Sequence, residues 1–346
     1  MMEKRIFVSL DIAKYVMAVL ILLGHTANEW AHLTGFWHYA LSCSFTVPVF
    51  FVISGFLFFT KIKSVDIKEQ DAYYKKWSYR VGKMYLIWSC VYFCFVLMKW
   101  SQTDFILEDI VAYIHRSLVY STYATIWFLP ALWVGISILY CLQKTFGAKT
   151  TFVVMVFIWL FGVFGGAYYG YIPKTGLVRN VFNGYIDYFL TFRNGLFFGS
   201  VYSYVGYLVY KYYNKFTLKH TFLLVLFFQL INCAEIILIK RVTPDADSDM
   251  GITMLPLAFS YVVLFLHISL KNRPIYMKLR NQSMLIFCGQ RLFLTAIPSV
   301  FPLAYSNNIC NFSHWEIMIV FVVQVLLFSY VIDKLSIKFP ILKNLR

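Results

Sequence analysis

Apolar runs of about twenty residues recur from one end of this chain to the other, and they limit its fold more than any other feature. Each is long enough to cross a bilayer hydrocarbon core of about 30 Å. In lipid a helix is the only open structure that satisfies its own backbone hydrogen bonds. The runs predict spans at about 7–27, 42–60, 84–100, 124–142, 151–168, 187–210, 220–239, 252–270, 283–304 and 314–332. Charged residues make up only 14% of the chain, where soluble domains carry about a quarter. The expectation is an all-α integral membrane protein of about ten transmembrane helices, with residues 1–346 forming one transmembrane domain and no separate soluble domain.

Charge orients the spans. The chain has 31 Lys and Arg against 16 Asp and Glu, a net +15. A nucleic-acid binder gathers such charge into a groove or stripe, whereas here basic segments alternate with apolar spans. No nucleic-acid partner is expected, and membrane lipids are. With the N-terminus inside, most of the basic residues fall on the cytoplasmic side, from Lys4 and Arg5 through Lys61–Lys83 to Lys334–Arg346, which places both termini in the cytoplasm. The acids Glu29, Asp104, Glu108, Asp109, Asp245, Asp247 and Asp249 gather on the other face. Segment 61–83 reads as the longest inner loop, and its seven basic residues suit anionic lipid or a cytosolic anion equally.

The first apolar run follows Lys4 and Arg5 as a signal peptide would, but it lacks a small-residue cleavage site and contains Asp11 and Lys14, so a retained helix is expected. The seven cysteines (Cys43, Cys90, Cys94, Cys141, Cys233, Cys288, Cys310) lie mostly within apolar runs without paired CxxC motifs and read as core residues; no metal is expected. No Gly-rich phosphate loop or GxSxG elbow is present.

Ionisable groups within membrane spans are costly and point to function. Lys14, Arg193 and Arg291 lie within spans, and the first helix carries Asp11, Lys14 and His25. Lys14 and His25 are eleven residues apart, which sets them on one helical face roughly 16 Å apart. Asp11 is three residues from Lys14 and within pairing reach. Spacing alone also accommodates a snorkelling Lys14 with Asp11 as its structural partner and a His25 bonded to a neighbouring helix. Arg193 reads as a partner of Asp187. The histidines at 32, 38, 115, 220, 267 and 314 read as solvated.

Several segments together resemble the membrane-bound acyltransferase 3 family. SLDIAKYVMAVLILLGH resembles the family's first helix, with Lys14 and His25 at its basic residue and its histidine. FTVPVFFVISGFLFF resembles its FF-x-x-SGFL signature, through Phe50, Phe51, Ser54, Gly55, Phe56 and Leu57. KKWSYRVGKMYLIW resembles its R-x-x-R element, with Arg80 and Lys83 in the basic positions and Trp88 at the end. TIWFLPALW and RNGLFFGSVYSYVG resemble two further family segments, and the order of all five is the family's. The chain departs from the pattern at Lys14 and Lys83, where arginine is usual, and at Gln290, where SMLIFCGQ carries glutamine in place of a common histidine. A lysine cannot supply the planar bidentate fork of an arginine.

The resemblance implies an integral-membrane O-acyltransferase of a bacterial inner membrane. It would move an acyl group, commonly acetyl from cytosolic acetyl-CoA, to a hydroxyl of a glycan, sugar or lipid-linked saccharide of the envelope, in polysaccharide modification. Arg80 and Lys83, helped by Lys14, would hold the phosphate or pantetheine portion at the cytoplasmic mouth. His25 would be the general base, with Lys14 and Asp11 as further catalytic residues about three to four turns away on the same helix; Ser54 and Trp127 would border the donor. Ser54 is not expected as the nucleophile. A transporter or flippase of a glycan or lipid precursor, or an inactive scaffold in envelope polysaccharide assembly, accounts for the same helices, and the Lys14 and Gln290 departures keep the scaffold open.

Overall fold

The computed structural model describes residues 7–29, 44–104, 106–300 and 314–346, and among them there is helix and no strand. Lys4, Arg5, His32, His38, Cys43 and Cys310 lie outside the described residues. Among the described residues six helices are long and apolar enough to cross a membrane, and two shorter apolar helices, Thr46–Ile62 and Met254–His267, accompany them. The chain is a multi-pass membrane protein.

The chain divides into two compact units. The first comprises residues 1–46, 83–126 and 270–346, the second residues 47–82 and 127–269. Helix α1 (Val8–Glu29) belongs to the first, α2 (Thr46–Ile62) almost wholly to the second, and α3 (Ile67–Trp100) contributes its two halves to both. At 34 residues, α3 is about 51 Å long at 1.5 Å per residue. Its apolar half is the span expected at 84–100. The stretch expected as an inner loop is its polar first half, because IKEQDAYYKKWSYRVGK contains no proline and buries Trp77 and Val81.

In the first unit, α1 packs on α10 (Pro274–Arg291) and on α11 (His314–Lys338). Helix α10 continues through a π-helical turn at Leu292–Ala296 into Ile297–Val300. The short amphipathic α4 (Leu107–Val119) completes this unit. It buries none of its residues, and Leu107, Val111, Ile114 and Leu118 make an exposed apolar stripe at helical spacing, the pattern of a helix lying in the membrane interface.

In the second unit, α5 (Phe128–Gly165) is broken at Gly147, whose φ of 74° and ψ of −179° end one leg and start the next. Those legs correspond to the spans expected at 124–142 and 151–168. The single span expected at 187–210 is a correction: α6 (Leu177–Phe189) stops at Leu190, and a new helix starts at a π-helical turn, Gly195–Gly199, leading into α7 (Ser200–Tyr212). Asn194 causes the restart, because its Oδ1 accepts from the N–H groups of Leu196 and Phe197 at 2.9 and 3.2 Å. Helices α8 (Leu218–Val242) and α9 (Met254–His267) follow. On α8, Phe222, Leu223, Leu226, Phe227 and Leu230 are exposed, so this face is solvated by lipid chains. Four of the five described cysteines, Cys90, Cys94, Cys141 and Cys233, also lie on exposed faces; only Cys288 is a core residue.

The glycine signatures act in packing. A Cβ on Gly206 of α7 would stand 2.5 Å from the Phe56 nitrogen and the Val52 oxygen of α2, and Gly55 meets the backbone of Ser203. The S-G-F-L segment is therefore a close helix crossing of the small-residue type.

Candidate functional site

Two polar ties join α1 to α10 in the first unit. Near the start of both helices Arg280 Nη1 lies 3.9 Å from Asp11 Oδ2, and the Asp11 side chain is largely buried. Fourteen residues further along α1, Arg291 Nη2 lies 3.1 Å from His25 Nδ1. Both ties advance in the same sense, so the two helices run parallel and their basic starts, Lys14 on one and Lys278 with Arg280 on the other, share an end. Lys14 is half-buried on α1, one turn from Asp11. Arg280 is thus a partner of Asp11 that spacing along one helix does not reveal, beside the neighbouring Lys14.

The Arg291 contact decides the protonation of His25. A guanidinium has only donors, so Nδ1 must accept, and a neutral imidazole in this arrangement carries its proton on Nε2. The basic lone pair is the one that Arg291 covers. Arg291 is the partner of His25 that the sequence motifs pass over, although the rule that flags Lys14 and His25 as costly intramembrane groups flags it equally. Gln290, next to it, is fully buried and gives its Nε2 to the Phe287 carbonyl at 3.0 Å, within its own helix turn.

Thr295, one turn beyond Arg291, returns its hydroxyl to the Arg291 carbonyl at 3.0 Å and meets the Tyr123 hydroxyl at 3.2 Å. Tyr123 stacks on Tyr92 with centroids 4.3 Å apart, and the Tyr92 hydroxyl reaches the Cys288 carbonyl at 2.5 Å. The Arg291 turn is therefore braced on the α3 side by two stacked tyrosines. Trp88 is buried and gives its Nε1 to the Leu345 carbonyl at 3.1 Å.

Arg80 and Lys83 lie one turn apart on α3. Arg80 is exposed, and its guanidinium makes no ion pair or hydrogen bond among the described residues. Two uncommitted cations where the polar half of α3 meets its apolar half suit an anion held at the membrane surface.

The other two predicted residues sit in the second unit. Ser54 gives its hydroxyl to the Phe50 carbonyl at 2.8 Å, a local back-bond within α2. Trp127 is buried against Phe51 and Phe198, and the Arg193 guanidinium lies over its ring, 4.7 Å from the centroid. Arg193 pairs with Asp249 at 2.6 Å, with Asp247 at 4.0 Å behind it, in place of the expected Asp187. Burial pushes the Asp249 carboxyl up to about 6 against the downward pull of Arg193. Glu235 is a second buried acid, and its role is structural. It accepts from the N–H groups of Ile252 and Thr253 at 2.6 and 2.9 Å and from the hydroxyls of Thr253 and Tyr168, which caps the start of α9.

Comparison with known proteins adds three findings. The profile of the acyltransferase domain of the acyltransferase 3 type matches residues 7–334, nearly the whole chain. An amino-acid racemase of Enterococcus faecalis is 23% identical over 277 residues, 79% of this chain and 38% of the relative. A second amino-acid racemase of the same organism is 24% identical over 171 residues, 49% of this chain and 24% of the relative. The chain thus spans well under half the length of these curated relatives. No solved structure matches it.

Proposed function

The chain belongs to the acyltransferase 3 family, and from that premise we propose that it moves an acyl group, acetyl in the first instance, from cytosolic acyl-CoA to a saccharide hydroxyl at a bacterial inner membrane. The racemase name is said of much longer proteins and is not carried over to this chain.

The contact between Arg291 and His25 carries the reading. For transfer, Arg291 exchanges His25 Nδ1 for the thioester carbonyl oxygen, where its donors stabilise the developing oxyanion. The same movement uncovers Nδ1, which takes the proton from the attacking hydroxyl. The hydroxyl oxygen bonds to the carbonyl carbon, the carbon–sulfur bond breaks, and the proton held by His25 passes to the departing thiolate, leaving an ester and free CoA thiol. One arginine couples the arrival of the acyl group to the release of the base.

Lys83 and Arg80, with Lys14, hold the anionic portion of the donor at the cytoplasmic end. The Asp11–Arg280 tie fixes the register of α1 on α10, on which the placing of His25 against Arg291 depends. Ser54 and Trp127 have the packing duties described above, and no step is assigned to them.

The test measures radiolabelled acetyl transfer from acetyl-CoA to an envelope glycan fraction, beside thermal stabilisation of the purified protein by acetyl-CoA. His25→Ala is expected to lose transfer while keeping its abundance and its stabilisation by acetyl-CoA, and Arg80→Ala to lose the stabilisation. Full transfer by His25→Ala overturns the mechanism, and absence of any response to acyl-CoA overturns the donor.

A further inference from the structure

The first unit holds an open cleft of about 450 Å³ between the end of α3 and α4. Its walls are Trp100 and Lys99 from α3, Tyr113, Arg116 and Asp109 from α4, and Tyr123; Thr295 and Ser299, on the continuation of α10, line it as well. The volume lies within the range of sites that enclose small ligands, and the walls combine four aromatic residues with five polar or charged ones. Helix α4 turns its apolar stripe away from the cleft and presents Asp109, Ala112, Tyr113 and Arg116 to it. Trp100 and Tyr113 meet edge to face with centroids 5.6 Å apart, which sets an aromatic corner at the wall.

We propose that this cleft is the acceptor site and that it takes an anionic saccharide, one bearing a carboxylate or a phosphate. The proposal rests on the acyl-transfer reading, since it supplies the hydroxyl that reading requires. Three observations support it. Tryptophan and tyrosine rings offer flat apolar faces for the C–H side of a sugar ring, with hydroxyl and indole groups at their edges. The side chains of Lys99 and Arg116 line the space with no ion pair or hydrogen bond among the described residues, and an arginine fork matches an oxyanion in two parallel bonds. The one lining acid, Asp109, already accepts the Ile106 N–H at 3.0 Å through Oδ2, which caps a backbone donor at the start of α4. Asp104 and Glu108 are on the same segment but do not line the cleft.

Position supports the same assignment. Thr295 is one helical turn, about 6 Å, from Arg291, whose guanidinium meets His25 Nδ1. Arg291 and His25 do not themselves line the cleft, and a sugar resting on Thr295 is held within one helical turn of the residue that carries the transfer contact.

The experiment is calorimetric titration of the full chain in detergent with three probes: a glucuronosyl-glucose disaccharide, glucose 6-phosphate, and cellobiose as the neutral comparison. At least one anionic sugar is expected to bind ten times or more tightly than cellobiose, and the stronger of the two identifies the oxyanion. Arg116→Gln is expected to weaken that sugar about tenfold with cellobiose unchanged, and in transfer assays to raise the acceptor KM with kcat preserved. Tyr113→Ala is expected to weaken all three. Equal binding of charged and neutral sugars, or Arg116→Gln binding like the parent, overturns the proposal. His25→Ala separates the two readings. If it abolishes transfer while no sugar binds the parent protein, the cleft assignment falls and the transfer mechanism stands. If sugars bind through Arg116 while no acyl-CoA-dependent transfer occurs, the cleft stands as a saccharide site and the transfer reading falls.

Discussion

Replacing Arg291 by glutamine tests whether one side chain serves both the oxyanion and the base. In the resting arrangement its Nη2 donates to His25 Nδ1 at 3.1 Å, and in the proposed transfer step the same group moves to the thioester oxygen. Glutamine keeps a neutral amide donor, on a side chain shorter by two atoms. The expected loss is that of one oxyanion-hole donor, about 10²–10³ in kcat or about 2.7–4 kcal/mol of barrier. The KM for acyl-CoA should change little, because the lost interaction belongs to the transition state. Residues acting as one unit are also non-additive, so the double variant His25→Ala/Arg291→Gln should transfer no more slowly than His25→Ala alone. Single-turnover transfer in detergent, with acetyl-CoA stabilisation as the folding control, measures all four proteins of the cycle. Arg291→Gln at the parental rate, or losses that multiply in the double variant, would refute the shared role and return Arg291 to a helix-packing duty.

Two further outcomes follow from the second unit. The Asp249 carboxyl is raised from 3.8 to about 6 in the folded protein, so its contribution to stability is fully present below about pH 4 and is lost as pH rises through about 6. At about 1.4 kcal/mol for each pH unit between those two values, the contribution is about 3 kcal/mol. The thermal midpoint of the parent should fall across that window relative to Asp249→Asn, and parallel pH profiles of the two proteins would contradict it. Gly206→Ala places a Cβ 2.5 Å from the Phe56 nitrogen and the Val52 oxygen, contacts with fixed backbone that cannot rotate away. A cost of about 1–3 kcal/mol is expected, read as a lower thermal midpoint in detergent, and a midpoint equal to the parent's would show that α2 and α7 do not cross so closely.

Most of the spanning helices were legible in the sequence because hydropathy reports length directly, and a helix must satisfy its own backbone wherever it meets lipid. Where charge and apolar residues mix, hydropathy fails for a physical reason. The first half of α3 carries too many lysines to score as a span, yet Trp77 and Val81 are buried and the helix continues through it. Helices α4 and α6 are only 13 residues each, with a narrow apolar stripe suited to an interface, so a twenty-residue window averages them away.

The same distinction runs through the candidate site. Lys14 and His25 share one helix, so the spacing rule finds them. Asp11 and Arg280, Arg193 and Asp249, and His25 and Arg291 are pairs brought together by packing between segments far apart in sequence, and a near neighbour such as Asp187 is a poor substitute for the partner that the fold supplies. An intramembrane charge therefore says that a partner exists without saying where. In α1 and α10 the answer is given by two parallel helices tied at two levels. The pair at one level is an ion pair, which suits holding the helices in register. The pair at the other joins a donor-only guanidinium to an imidazole lone pair, and the proposed transfer step turns on that contact.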